Sequence, residues 1–72
     1  MDLPAVVRSM HTWDTAPGRD LRCGELAVVV DVVETRYGGW VWRLISLDNP
    51  RLLEISTGTT PERVLQKWLV PA

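Results

Sequence analysis

The sequence predicts a small, mainly β domain: a partly open barrel or meander of short strands with a short helical element near the C-terminus. Three observations predict it. Runs rich in Val, Thr, Tyr and Trp flank Gly38-Gly39, which is a hairpin signal because tight turns need backbone angles that Gly adopts without steric cost. Turn-forming clusters at residues 14–20 (DTAPGRD), 48–50 (DNP) and 56–60 (STGTT) cut the chain into strand-length pieces, as Gly, Pro, Asn and Asp do. Thr60-Pro61-Glu62 carries a helix-start signature, since Pro suits the first helical position and Thr suits the cap before it.

The hairpin spans residues 25–47 behind Gly24. With Gly38 and Gly39 as a two-residue loop, Tyr37 faces Trp40, Arg36 faces Val41, Thr35 faces Trp42 and Glu34 faces Arg43. A cross-strand ion pair and a β-branched/aromatic pair contribute roughly 0.2–1 kcal/mol each. Alternation then gathers Tyr37, Trp40, Thr35, Trp42, Val33 and Leu44 on one face, with Asp31 among them. The other face carries Arg36, Val41, Glu34, Arg43 and Val32. Far from the turn both faces are apolar and need cover from a closed barrel, a helix or a second subunit. Asp31 in the middle of the valine run reads as a solvated residue at a bulge or a sheet opening.

Residues 2–13 (DLPAVVRSMHTW) allow two readings. Asp2 as N-cap, Pro4 in the first turn and Leu3, Val6, Val7, Met10 and Trp13 at near-helical spacing describe a helix, which would make the domain α+β. Alternation of Val7, Ser9 and His11 against Val6, Arg8 and Met10 describes a strand. The strand is preferred because paired β-branched valines and a Pro leave only a marginal helix. Pro17-Gly18 makes the following turn, and Gly24 marks a bend into the first hairpin strand. Residues 51–56 (RLLEIS) give the third strand of the meander, with Leu53 and Ile55 on one face. After Pro61, either Val64, Leu65, Trp68 and Leu69 line one side of a two-turn helix stopped by Pro71, or a 3₁₀ turn gives way to a closing strand.

The 72 residues make one domain, with residues 1–20 an N-terminal segment and loop and residues 21–71 the hairpin meander and C-terminal helical turn. A domain of this size buries only about 60% of its unfolded surface. With 46% hydrophobic residues, four Trp and no second Cys to pair, self-association is the one visible route to added stability. A net charge of −1, with basic residues nowhere clustered beyond Arg19 and Arg22, weighs against nucleic acid as a partner. One Cys points to a reducing cytoplasm. No signal-peptide pattern or membrane-length apolar run is present.

No catalytic set emerges. His11 is the single histidine, and Ser9 and Thr12 beside it in sequence are no evidence of a triad. Cys23 lies next to Arg22 but has no resolving partner, and reads as a small buried hydrophobe. One His and one Cys do not make a metal site, and neither metal nor cofactor is expected. Residues 57–60 (TGTT) carry one Gly and no following Lys, which is not the pattern of a phosphate-binding loop, and read as a capped loop before the helix. Tyr37, Trp40 and Trp42, with Arg36 and Arg43 beside them, are the candidate binding residues, being of the types enriched at interaction hot spots.

The opening strand GELAVVV from Gly24 to Val30, the Gly-Gly turn and the Trp-Leu-Val-Pro ending resemble small SH3-like barrels over about residues 21 to 71. The N-terminal twenty residues have no place in that resemblance. It implies binding of peptides, RNA or other subunits, and it transfers no residue-level role. Type II dihydrofolate reductases assemble four similar barrels around a pore, but their Val-Gln-Ile-Tyr active segment does not occur here. The expectation is therefore a non-catalytic, self-associating adaptor or regulator that docks a protein partner through the aromatic hairpin. Single-stranded nucleic-acid binding on the barrel face and an oligomeric enzyme with its site between subunits are the alternatives.

Overall fold

A computed structural model describes residues 2–14 and 20–72; the turn expected at Pro17-Gly18 and Arg19 of the basic pair lie outside the described residues. The fold is mainly β, an open antiparallel sheet of five strands with one short helix. The strands are β1 (Val6–Ser9), β2 (Leu26–Glu34), β3 (Trp40–Ser46), β4 (Leu52–Thr57) and β5 (Leu69–Pro71), and α1 (Pro61–Lys67) lies between β4 and β5. Their order across the sheet is β4-β3-β2-β1-β5.

The N-terminal segment is a strand, and the α+β alternative is not realised. Val7 and Ser9 are buried while Arg8 is exposed, the two-residue period that valine-rich sequence favours. This strand sits between β2 and β5, pairing Val7 with Ala27 on one side and with Pro71 on the other. The segment with no place in the SH3-like resemblance thus joins the meander to the closing strand.

The β2–β3 register departs from the two-residue turn. Trp40 pairs with Glu34, three residues back from Tyr37, and Trp42 pairs with Val32. The Thr35 N–H donates to the Gly39 carbonyl at 2.8 Å and the Gly38 N–H to the Thr35 carbonyl at 3.3 Å, with Gly38 at φ +87°. This is a three-residue loop ending in a left-handed glycine, the next most favoured hairpin closure. Gly39 just precedes β3 instead; its N–H donates to Thr35 Oγ1 at 3.1 Å, and a Cβ there would meet the Thr57 carbonyl oxygen at 3.1 Å. An odd shift of register turns the other set of β2 side chains inward. Val32 therefore joins Trp40, Trp42 and Leu44 on the inner face, and Asp31 leaves it. A bulge at Val30, between the pairs Val29–Leu44 and Asp31–Arg43, restores the phase of the lower half so that Val29 and Ala27 also face inward.

Both readings of the C-terminus hold in part. A seven-residue helix forms after Pro61, and it is followed by a three-residue strand. Thr60 has the extended cap conformation (φ −63°, ψ 153°) but makes no side-chain cap bond, so the sequence signature acts here through Pro61 alone. Pro71 does not stop the helix, which ends at Lys67. It lies in the edge strand β5, where a missing N–H costs no ladder bond on the solvent side.

The core is Val7, Leu21, Ala27, Trp42, Leu44, Leu53, Ile55, Val64 and Leu69, all essentially inaccessible. Leu53 and Ile55 share the inner face of β4 as their spacing predicts. At one end of the sheet, Glu25 holds three segments together. It accepts from the Arg22 N–H at 2.6 Å and the Ser46 hydroxyl at 3.2 Å, and lies 3.7 Å from the Arg51 guanidinium in a mostly buried pair.

Candidate binding surfaces

Of the five hairpin residues expected to bind a partner, Trp40 and Trp42 share the inner face of β3, Arg36 and Tyr37 lie in the loop, and Arg43 is on the outer face. Trp42 is fully buried, and its indole Nε1 has no hydrogen-bond partner among the described residues. Trp40 is half-buried against the core. Tyr37 at the loop tip is 90% exposed, with Arg36 exposed beside it. Arg43 lies on the opposite, outer face, where its Nε donates to Asp31 Oδ1 at 2.7 Å and its Nη2 to Oδ2. The expected Glu34–Arg43 pair is thus replaced by Asp31–Arg43. The guanidinium bonds hold the Asp31 carboxyl below the usual aspartate range, and Asp31 in turn raises Arg43. Asp31 does sit next to a bulge and in contact with solvent, on the other face from the one expected.

The outer face of the sheet is the larger surface. Pairing aligns Val6, Val28, Ile45 and Leu52 in one row across β1, β2, β3 and β4. The row Asp31–Arg43–Glu54 runs beside it, and Val33–Val41–Ser56 beyond that. Val33, Ile45 and Leu52 are 38–55% exposed, and Leu47 and the bulged Val30 are each 48% exposed. Strand alternation would place polar residues here on a sheet whose other face is the core; β2 and β3 instead carry apolar side chains on both.

A second surface lies on the inner side, where the segment after β1 meets the end of α1. Ser9 is buried in β1, and its hydroxyl donates to the His11 carbonyl and accepts from Trp13 Nε1 at 3.1 Å. This turns His11 and Trp13 toward Trp68 at the helix C-cap. The His11 ring stands edge-on to Trp13 (centroids 5.2 Å apart) and to Trp68 (5.3 Å), and the two indoles are 6.4 Å apart. Reciprocal backbone bonds between Trp13 and Leu21 fix the far side. The three rings, Val64 and residues 56–59, which run from the end of β4 into the turn after it, line a cleft of about 240 Å³. Trp68 and Thr59 also line an adjoining groove with Arg63, Gln66 and Lys67. Trp13 and Trp68 are visible in the sequence as two aromatics outside the hairpin, but nothing local joins positions so far apart.

The candidate nucleophiles are placed as follows. The Ser9 hydroxyl is occupied by His11 backbone and Trp13 indole contacts, not by the His11 ring. Cys23 is exposed, correcting its reading as a buried hydrophobe, and its N–H donates to Thr12 Oγ1 at 3.3 Å. Arg22 beside it is turned to Asp20 at 3.3 Å, which lowers the Asp20 carboxyl. Among the described residues no three His, Cys, Asp or Glu side chains converge, and no helix is long and apolar enough to cross a membrane. Comparison with known proteins returns no matching family model, no matching curated protein and no matching solved structure.

Proposed function

We propose that this chain is a non-catalytic protein-binding domain, an adaptor or regulator of the cytoplasm, that self-associates through the outer face of its sheet. The supporting observation is the row Val6–Val28–Ile45–Leu52, with Val33 and Val41 flanking it across the charged row. Exposed apolar side chains scattered singly need no explanation, whereas a contiguous patch on a sheet marks an interaction surface. At strand spacings of about 4.8 Å and rises of about 3.3 Å per residue, the patch covers roughly 400 Å² on each copy. Two copies face to face would bury roughly 800 Å², just under the ~1,000 Å² that specific interfaces clear. The association is therefore weak and concentration-dependent. Asp31, Arg43 and Glu54 alternate in sign across the patch. A two-fold axis between Arg43 and Glu54 sets each arginine against the other copy's glutamate, which fixes one orientation.

Light scattering across a dilution series tests this. The wild-type chain is expected to move from monomer to dimer in the micromolar range, and Ile45→Lys and Leu52→Lys, at exposed positions, to remain folded and monomeric throughout. A wild-type chain that stays monomeric at the highest soluble concentration, or lysine variants that dimerise equally well, would overturn the proposal.

A further inference from the structure

The cleft and its basic flank make a second surface, which shares Ser56 with the outer rows, and its chemistry differs from end to end. The cleft walls are aromatic and aliphatic, and residues 56–59 at the end of β4 add hydroxyls and backbone; no lining side chain is acidic, and none is Lys or Arg. At about 240 Å³ it is smaller than the ~300–1,000 Å³ pockets that take whole small molecules, and it suits a single apolar side chain.

The flank is of another kind. Arg63 and Lys67 stand four residues apart on α1, which puts them on one face of the helix. They line the groove that continues from the cleft across Trp68 and Thr59. Neither forms an ion pair with any described residue, and the Lys67 ammonium lies 4.9 Å from the centre of the Trp68 ring. Two unpaired cations thus begin where the apolar seat ends.

Backbone geometry adds a direction. Thr57, which lines the cleft, ends β4, and β4 is an edge strand of the sheet formed by the described residues. An extended segment entering the cleft can take backbone hydrogen bonds from that edge, as added strands do elsewhere.

We infer that this surface takes a linear acidic peptide, with one apolar side chain seated among His11, Trp13 and Trp68 and the carboxylates that follow it lying against Arg63 and Lys67. A single-stranded nucleic acid would meet the same rings, but two cations on a chain of net charge −1 neutralise too few phosphates to hold it.

The test is titration of the full chain, kept dilute, with a synthetic Gly/Ser peptide containing Phe-Glu-Glu, followed by the indole N–H signals in NMR. The expected result is a shift of the Trp13 and Trp68 signals. Affinity should fall about fivefold for the Phe-Gln-Gln peptide, or when Arg63→Glu and Lys67→Glu are combined, since each exposed charge pair contributes modestly. Both positions are exposed, so the double variant is expected to fold, and its melting curve checks this. Three results would overturn the inference: equal binding of Phe-Glu-Glu and Phe-Lys-Lys peptides, Trp13 and Trp68 signals unmoved at saturating peptide, or tighter binding of oligouridylate than of the acidic peptide. Loss of dimerisation in Ile45→Lys leaves this surface intact, so the two readings fail separately.

Discussion

Replacing Ser9 by Ala removes one oxygen from the point that organises the aromatic cleft. The Ala methyl fills nearly the same volume, so no cavity forms and the loss is of hydrogen bonding. The hydroxyl is fully buried, donates to the His11 carbonyl and accepts the Trp13 indole N–H at 3.1 Å. Each neutral hydrogen bond contributes about 1 kcal/mol net, and a buried donor left unpaired costs about 1–3 kcal/mol. His11 is exposed and its carbonyl can recover water, whereas Trp13 is half-buried and recovers it less fully. The sum is about 2 kcal/mol. For a domain of this size that lowers Tm by about 8–16 °C.

The assay is urea unfolding of Ser9→Ala, Trp13→Phe and the double variant, with the indole N–H signal of Trp13 recorded for the first. Trp13→Phe removes the same bond from the other side, so the cycle should show a coupling of about 1 kcal/mol. Ser9→Ala should also weaken peptide binding at the cleft, because the His11 and Trp13 rings lose their anchor. A destabilisation below about 0.5 kcal/mol with additive behaviour in the cycle would refute the role given to Ser9.

Two further predictions concern the hairpin. Trp42 is buried with an unpartnered Nε1, so Trp42→Phe relieves a buried donor while leaving a small cavity. It should change stability by no more than about 1 kcal/mol, against about 3–5 kcal/mol lost in Trp42→Ala, as read from denaturant midpoints. Comparable losses in both variants would show that the indole N–H is satisfied. The Asp31 carboxyl is lowered by its bonds to Arg43, so its contribution is fully present above the unfolded-state value near ~3.9 and fades as pH falls through the folded value. The gap in urea midpoint between wild type and Asp31→Asn should therefore be widest near neutrality and close below about pH 4. A gap independent of pH would contradict the pairing.

Much of the fold was legible because its signals are local. Alternation in residues 51–56 placed Leu53 and Ile55 together, the valine pair at Val6-Val7 favoured a strand, and Pro61 marked the start of a helix. Each of these depends on side chains within a few positions of one another, where the two-residue period and the fixed φ of proline act directly.

The register of the hairpin was not settled by such signals. Gly38-Gly39 is compatible with a two-residue loop and with a three-residue loop that uses only Gly38 in the left-handed region. Choosing the second puts Trp42 opposite Val32 in the core, moves Asp31 to the outer face beside Arg43, and leaves Val30 as the bulge. The first would have put a carboxylate on the inner face beside Leu44, which burial penalises heavily. The cleft likewise exists only in three dimensions, since His11 and Trp13 meet Trp68 because β1 pairs with β5 and Ser9 with Leu69.

By itself, then, the sequence determined the class of the fold, the meander and the helix start, because propensity and alternation are properties of neighbours along the chain. Tertiary structure alone decided which face each β2 residue takes and which aromatics converge, because those depend on burying the whole inner face at once, and burial energy is shared among residues distant in sequence.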